Sequence, residues 1–423
     1  MSQALHPSSP VTRSKPGLTL LAAFLGWMFD GMEMGIFPLV AGPALREMGT
    51  AGGLIAKDLD VYVSSWMAVV TALFLLGAAA GGVVFGWLGD RIGRVRAMTW
   101  SILFYSGFTG LCYFATEPWQ LTVLRFLAAL GMGGEWSLGV ALVMESWPEK
   151  RRPLLAGAIG AAANVGYLII AVLGIYYPIT DKSWRWVMLV GAAPAALTFL
   201  IRLFIPESQK WAASVKTATI SPIREIFSPG LRKRTLLAIV FASIALIVTW
   251  GIVQWIPLWA DQMVGKNDPV RKATIQFWSA GGAVLGSLVA PIIGGMLGRR
   301  LTYFLLCASS IAVCEWLFLG VHGFGTLFLF VTFLVGACTA AFYGWLPLYL
   351  PELFPTRARA TGQGLAFNAG RILAAIGVLQ MPNLMAAFDG SYPKAGATLA
   401  LAYLIGMVVI WLAPETKGRP LPD

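Results

Sequence analysis

Charge is scarce in these 423 residues: 31 Lys and Arg with 20 Asp and Glu make only 12% of the chain, where soluble domains carry roughly 25%. So few charges cannot cover a water-soluble surface of this size, so most of the surface must face lipid. Histidine is nearly absent. The two present, His6 and His322, lie in the N-terminal stretch and in a predicted loop, which excludes a histidine dyad or metal cluster inside the apolar segments. The four cysteines, Cys112, Cys307, Cys314 and Cys338, all fall within apolar runs and form no disulfide framework. No nucleophile motif and no phosphate-binding glycine loop is found. An enzyme is therefore not expected, nor a cofactor or metal. What remains is a net charge of +11, which would suit nucleic acid if it formed a patch.

It forms none. Apolar runs of about 20 residues, enough to cross roughly 30 Å of hydrocarbon as helix, recur twelve times, near 18-40, 62-88, 97-116, 119-143, 154-177, 186-205, 235-259, 274-297, 301-320, 326-350, 361-387 and 395-413. The alternation of a lipid-facing barrel strand is missing, so the expected fold is all-α and integral to the membrane. The tails and the connections after the even-numbered spans hold 20 of the 31 basic residues, and the opposite connections hold eight. Both termini are expected on the cytoplasmic side, with the positive charge facing an anionic leaflet and no nucleic-acid partner. Arg13 and Lys15 precede an apolar run, as in a signal peptide, but Asp30 and Glu33 interrupt that run and point to an uncleaved first span.

Motifs recur at about half the chain length. Glu145-Ser-Trp-Pro148-Glu-Lys-Arg-Arg152 is echoed 207 residues later by Glu352-Leu-Phe-Pro355-Thr-Arg-Ala-Arg359, and Pro206-Glu207-Ser208 is echoed 208 residues later by Pro414-Glu415-Thr416. Gly86-Trp-Leu-Gly-Asp90-Arg91-Ile-Gly93-Arg94 has a reduced echo in Gly295-Met-Leu-Gly298-Arg299-Arg300. Two six-span halves follow, 18-205 and 235-413, joined by a linker at 206-234 between tails 1-17 and 414-423.

The Gly86 to Arg94 segment is similar to the signature of the major facilitator superfamily. The Pro206-Glu207-Ser208, Glu352 to Gly362 and Pro414 to Gly418 segments resemble its sugar-porter branch. Gly26-Trp-Met-Phe-Asp30-Gly-Met-Glu33 and Gly131-Met-Gly-Gly134-Glu135-Trp look most like proton symporters of sialate, lactate and aromatic acids. Two departures stand out. Val95 replaces a usual basic residue, and the second-half signature copy lacks the Asp-Arg pair, so any gate on that side has to be weaker or built differently. The acid after Asp30-Gly is Glu33 following Met32, where those symporters show an aromatic and Asp.

Ionisable residues at bilayer depth cost about 2.5 to 3.5 kcal/mol each, so they are functional candidates by default. Asp30 and Glu33, three apart on one helix face, repel each other, and at least one of them is expected to hold a proton near neutral pH. Glu135, flanked by Gly133, Gly134 and Trp136, joins them as a proton-coupling candidate, and Arg125 and Arg202, near span ends, are read as snorkelling. Arg371, with Asn368 three residues before it, offers a permanent cation and a fork that matches a carboxylate. Either one of the three acids or an anionic solute answers it.

Resemblance implies that spans 1, 4, 7 and 10 line a central cavity. It adds Trp250, Gln254 and Trp255 from span 7, Tyr343 and Trp345 from span 10, and Asn164 and Tyr167 from span 5 as substrate candidates. It also implies a cytoplasmic gating network among Asp90, Arg91, Arg94, Glu145, Arg152, Glu207, Glu352, Arg357 and Arg359. The expected function is proton-coupled symport of a small organic anion, a carboxylate, by a monomer in the bacterial inner membrane. A carrier of sugars or organic cations and a transporter-like receptor are the alternatives.

Overall fold

The computed structural model describes residues 16–147, 149–196, 222–265, 268–355 and 358–422. It is helical, with no strand among the described residues. The first part holds α1 (Pro16–Ala51), α2 (Ala56–Ile92), α3 (Arg94–Leu111), α4 (Pro118–Met132), α5 (Glu135–Ser146), α6 (Arg152–Tyr176) and α7 (Trp184–Ala192). After a short α8 (Pro222–Ile226) come α9 (Arg232–Gly251), α10 (Ile256–Val264), α11 (Pro269–Leu297), α12 (Arg299–Gly320), α13 (Thr326–Thr339), α14 (Ala341–Leu353), α15 (Arg359–Ala387), α16 (Tyr392–Ala400) and α17 (Ala402–Val409). Among the described residues nine helical stretches are long and apolar enough to cross a membrane. The regions near 97-116 and 119-143 are not among them: α3 begins with Arg94 and Arg96, and α4 and α5 are short pieces of 15 and 12 residues; of the region near 186-205 only the part up to residue 196, with the nine-residue α7, is described.

Packing repeats along the chain. In the first part α2 packs on α4 and α1 on α6; in the second, α11 packs on α13 and α9 on α15. Glycine makes the equivalent contacts possible. A Cβ on Gly77 or Gly81 would meet the carbonyls of Phe126 and Leu130 at 2.4 and 1.9 Å, and one on Gly282 or Gly286 would meet those of Phe333 and Ala337 at 1.9 and 1.8 Å. Small residues four apart let backbones close to this range where lipid supplies no hydrophobic drive. The two parts meet along α6–α11 and α2–α15.

Two turns require glycine for their backbone. Gly93 (φ 107°) leads into α3 and Gly298 (φ 96°) leads into α12, a region closed to most side chains. The structural echo therefore pairs Gly298-Arg299 with Gly93-Arg94, not with Gly89-Asp90 as the motif letters suggest.

Breaks within the longer spans are closed by side chains from other helices, as lipid-buried backbone demands. Pro257 restarts the helix after the turn at Val253–Trp255, and the Tyr392 hydroxyl donates to the buried carbonyl of Ile252, which also accepts the Trp255 N–H at 3.0 Å. Between α13 and α14 the Ala340 carbonyl accepts from Ser287 Oγ at 3.0 Å.

The second-part network that lacked an Asp-Arg pair is built from the C-terminal tail. Arg299 grips Glu352 with Nε and Nη2 at 3.0 and 2.6 Å, Thr416 Oγ1 donates to Glu352 at 2.6 Å, and Glu415 accepts the backbone N–H groups of Arg299 and Arg300 at 3.0 and 3.1 Å. Partial burial pushes the Glu415 carboxyl up, but the N–H groups of Arg299, Arg300, Lys417 and Thr416 outweigh it and hold the group below its ordinary value of 4.5. A depressed folded pKa stabilises above that value and loses its contribution as pH falls through the folded pKa. Glu415→Gln should therefore lower the melting temperature in detergent by about 2 °C at neutral pH. The gap to the parent should close as pH falls below the ordinary carboxylate value and through the depressed folded pKa, and a gap independent of pH would refute the assignment.

Candidate functional site

A cavity of about 90 Å³ lies among α1, α6, α9, α11, α13, α14 and α15. It has room for roughly six water molecules, hence for a small solute. Asn164, Tyr167, Gln254, Tyr343 and Arg371 line it, as expected from sequence, together with Trp27, Gln276 and Phe367, which the sequence reading did not select. The polar wall is ordered: Gln254 Nε2 donates to Tyr167 Oη at 2.8 Å, Gln276 Nε2 to the carbonyls of Gly35 and Tyr167 at 3.2 Å each, and Asn164 Nδ2 to Ser287 Oγ at 3.1 Å. Beside the cavity Trp136 stacks on Phe367 at 4.4 Å, and Trp27 leans on Trp136 at 6.4 Å.

Arg371 is 3% exposed, and no carboxylate among the described residues stands within ion-pair distance of it. Its Nη1 donates to three neutral acceptors: Asn368 Oδ1 at 3.0 Å and the carbonyls of Gly133 and Ala78 at 3.4 and 3.5 Å. Its guanidinium lies 4.9 Å from the Phe367 ring centroid. A buried cation held by dipoles alone keeps strong affinity for an anion, because burial weakens water's competition.

Asn368 does not line the cavity. Its amide donates to the Gly364 carbonyl at 2.8 Å, and a Cβ on Gly82 would fall 1.8 Å from its Nδ2, so it positions Arg371 and leaves the substrate wall to others. Trp345 is not at the cavity either. It is fully buried in an aromatic cluster, 4.7 Å from both Tyr303 and Tyr349 and 6.1 Å from Phe241, because its ring projects from α14 into the second part's core. Trp255 sits on an adjoining hollow of about 10 Å³, shared with Arg125, Trp250 and Gln254.

The acids separate into two groups. Asp30, fully buried, faces Glu135, the first residue of α5, with the carboxyls within hydrogen-bonding reach. No donor among the described residues reaches any of their four oxygens. The Glu135 carboxyl packs so closely on α1 that a Cβ on Gly26 would come within 2.1 Å of it. Arg371 lies within electrostatic reach of Asp30.

Glu33 takes another partner. Arg125, expected to snorkel, is 1% exposed and donates to the Glu33 carboxylate and, at 3.5 Å, to its backbone carbonyl. Its guanidinium lies between Phe37 and Phe74, 5.2 and 4.6 Å from the ring centroids. Asp30 and Glu33 thus share a helix face but take different partners. The warning was in the helix bounds: Arg125 is seven residues into α4, about 10 Å from its start, too deep for its head to reach water.

Of the gating candidates, Glu352 and Arg359 are buried beside the tail, and Arg359 donates to the carbonyls of Pro351 at 3.2 Å and Pro422 at 2.8 Å. Arg152 is buried at the start of α6. Arg91 is exposed and lies over the Trp87 ring at 4.4 Å, which places it away from that network. The side chains of Asp90, Arg94 and Glu145 and the whole of Arg202, Glu207 and Arg357 lie outside the described residues.

Comparison with known proteins agrees with this geometry. The chain is 32% identical to the inner membrane metabolite transport protein YgcS of Escherichia coli, covering 82% of each chain, and 30% identical to the cis,cis-muconate transport protein of Acinetobacter baylyi, covering 95% of each. The solved proton:xylose symporter XylE superposes with a TM-score of 0.73 at 16% identity, over 96% of this chain and 98% of the other. The sequence pattern of the Major Facilitator Superfamily matches residues 19–378. With a cavity between two packing units that repeat one another, and a match over most of its length, this multi-pass membrane chain belongs to the Major Facilitator Superfamily, a family of transporters and not of enzymes.

Proposed function

We propose that the protein is a proton-coupled symporter of a small organic carboxylate. It would work by alternating access of two six-helix halves, 18-205 and 235-413, linked by 206-234, in twelve crossings with both termini cytoplasmic. The observation that carries this reading is Arg371: a buried cation on the cavity wall with no acid in ion-pair range among the described residues, and with the Asp30–Glu135 carboxyl pair behind it. A solute carboxylate would answer the guanidinium through two parallel charge-assisted bonds. Gln254, Asn164 and Tyr343 would then orient the rest of the solute between aromatic walls.

Asp30 and Glu135 would take up one proton together, since two carboxylates so close in low dielectric cannot both ionise readily. Glu33, neutralised by Arg125, would serve the pathway and not hold the coupled proton itself. The muconate relative supports a carboxylate as cargo, and YgcS supports a bacterial inner membrane. An organic cation would meet Arg371 as a like charge, and a sugar would leave that charge unanswered. The chain is expected to act as a monomer, since cavity and carboxyl pair are complete within it.

The test is uptake into proteoliposomes of a panel of mono- and dicarboxylates, cis,cis-muconate included. An inward proton gradient is expected to accumulate at least one of them. A monovalent anion with one proton moves no net charge, whereas two protons would add about 2.3 kcal/mol per 100 mV of inside-negative potential. Uptake that ignores both pH gradient and potential would exclude symport, and no flux above leak would favour a receptor.

A further inference from the structure

Span 3 of the superfamily signature region contributes nothing to the cavity, yet α3 carries a polar stripe that faces inward. Ser101, Tyr105, Ser106 and Thr109 are all fully buried. Ser101 Oγ donates to the Gly131 carbonyl at 2.5 Å, and a Cβ on Gly131 would come within 2.6 Å of the Tyr105 backbone nitrogen, so the stripe is pressed against α4. Spacing of four residues keeps Ser101, Tyr105 and Thr109 on one face.

The remaining hydroxyls lie near acids of both groups. Tyr105 lies within electrostatic reach of Glu135, Asp30 and Glu33 and its hydroxyl is beside Ser106, while Thr109 Oγ1 is beside the Glu33 carboxylate. The Thr109 methyl and Glu33 Oε2 also converge on Gly191 of α7. None of Tyr105 Oη, Ser106 Oγ, Thr109 Oγ1 or Glu33 Oε2 completes a hydrogen bond of good geometry, nor does either carboxyl of the Asp30–Glu135 pair. Buried polar atoms close together but out of alignment are the setting that bridging water satisfies. The outer end of the row is Arg125, which lines the hollow of about 10 Å³, near the volume that admits one water. Tyr105, Ser106 and Thr109 do not line the larger cavity.

We propose that the α3 hydroxyl stripe of Tyr105, Ser106 and Thr109 is a water-bridged proton path that joins Glu33 to the Asp30–Glu135 pair without crossing the substrate cavity. A proton arriving at the Glu33 carboxylate is passed to the first hydroxyl or water as that oxygen gives up its own to the next. The last member protonates Asp30, and each hydroxyl ends with one proton as it began. Substrate and proton then enter by separate routes and meet only through Arg371, which touches the cavity on one side and the field of Asp30 on the other. The path rests on the proton-sharing pair proposed above.

The test needs no substrate. Infrared spectra of the full-length protein in detergent should show a protonated carboxyl band that Glu135→Gln removes. On transfer to D2O that band should shift about tenfold or more slowly in Thr109→Val and Tyr105→Phe than in the parent, the scale set by losing one hydrogen-bonding step. Thr109→Ser, which keeps the hydroxyl, should exchange at the parental rate, and backbone amide exchange should be unchanged throughout. Parental rates in Thr109→Val and Tyr105→Phe would overturn the path while leaving the shared proton intact. Equal slowing in Thr109→Ser, or accelerated amide exchange, would reduce the stripe to packing. Absence of any band that depends on Glu135 would remove the shared proton and the path together.

Discussion

Arg371→Lys is expected to leave the protein folded and to lower kcat/KM for carboxylate uptake by about a hundredfold, chiefly through KM. An ammonium keeps the charge but offers one point of contact where the guanidinium offers a planar fork, and the lost charge-assisted bond is worth about 1.5 to 3 kcal/mol. The ammonium would also lose the simultaneous reach to Asn368, Gly133 and Ala78 and the placement over Phe367. Arg371→Ala should abolish uptake and leave the cavity neutral. Purified yield, melting temperature and initial uptake rate across a concentration series separate these effects. Parental kinetics in Arg371→Lys would move the anion site elsewhere.

Glu33→Ala should be the most destabilising single change, by about 3 to 5 kcal/mol. It leaves Arg125, 1% exposed between two phenyl rings, with a backbone carbonyl as its remaining hydrogen-bond acceptor. Arg125→Met alone strands the Glu33 carboxyl in the same way, though that group can neutralise by taking a proton, so its cost should be smaller. The double change Glu33→Leu with Arg125→Met should recover most of the loss, because a buried pair replaced by apolar groups of similar volume is often neutral. Denaturation in detergent gives the cycle, and additive losses would mean the two residues act independently. If the double variant folds but no longer accumulates solute when an inward proton gradient is imposed, the pair serves transport and not stability.

The helical, membrane-spanning character was legible because scarcity of charge and the length of apolar runs are properties of composition. So was an internal repeat: the motif pairs recur at offsets of 207 and 208 residues, and the close packing of Gly77 and Gly81 recurs 205 residues on in Gly282 and Gly286. Depth alone identified Asp30, Glu33, Glu135 and Arg371. Pairing was harder to read. Asp30 sits three residues from Glu33 yet meets Glu135 about a hundred positions away, because helix azimuth says which residues share a face and nothing about which neighbour that face meets. Tryptophan was ambiguous for the same reason: Trp27 lines the cavity while Trp345 fills a core. Gln276 could have been found by the reasoning that selected Gln254, since an amide at bilayer depth needs a partner wherever it falls.

Arg371 belongs to α15, but two of its three acceptors, the carbonyl of Ala78 in α2 and that of Gly133 in the turn between α4 and α5, lie on the other side of the interface. The guanidinium is therefore a rivet between the two packing units as well as a wall of the cavity. Whatever draws it toward a solute loosens the rivet, and thermodynamic reciprocity requires that any strain pulling the units apart at this point raise the affinity for that solute by the same factor. On this account a cargo that binds Arg371 without releasing those carbonyls would occupy the cavity and go nowhere, which describes a competitive blocker.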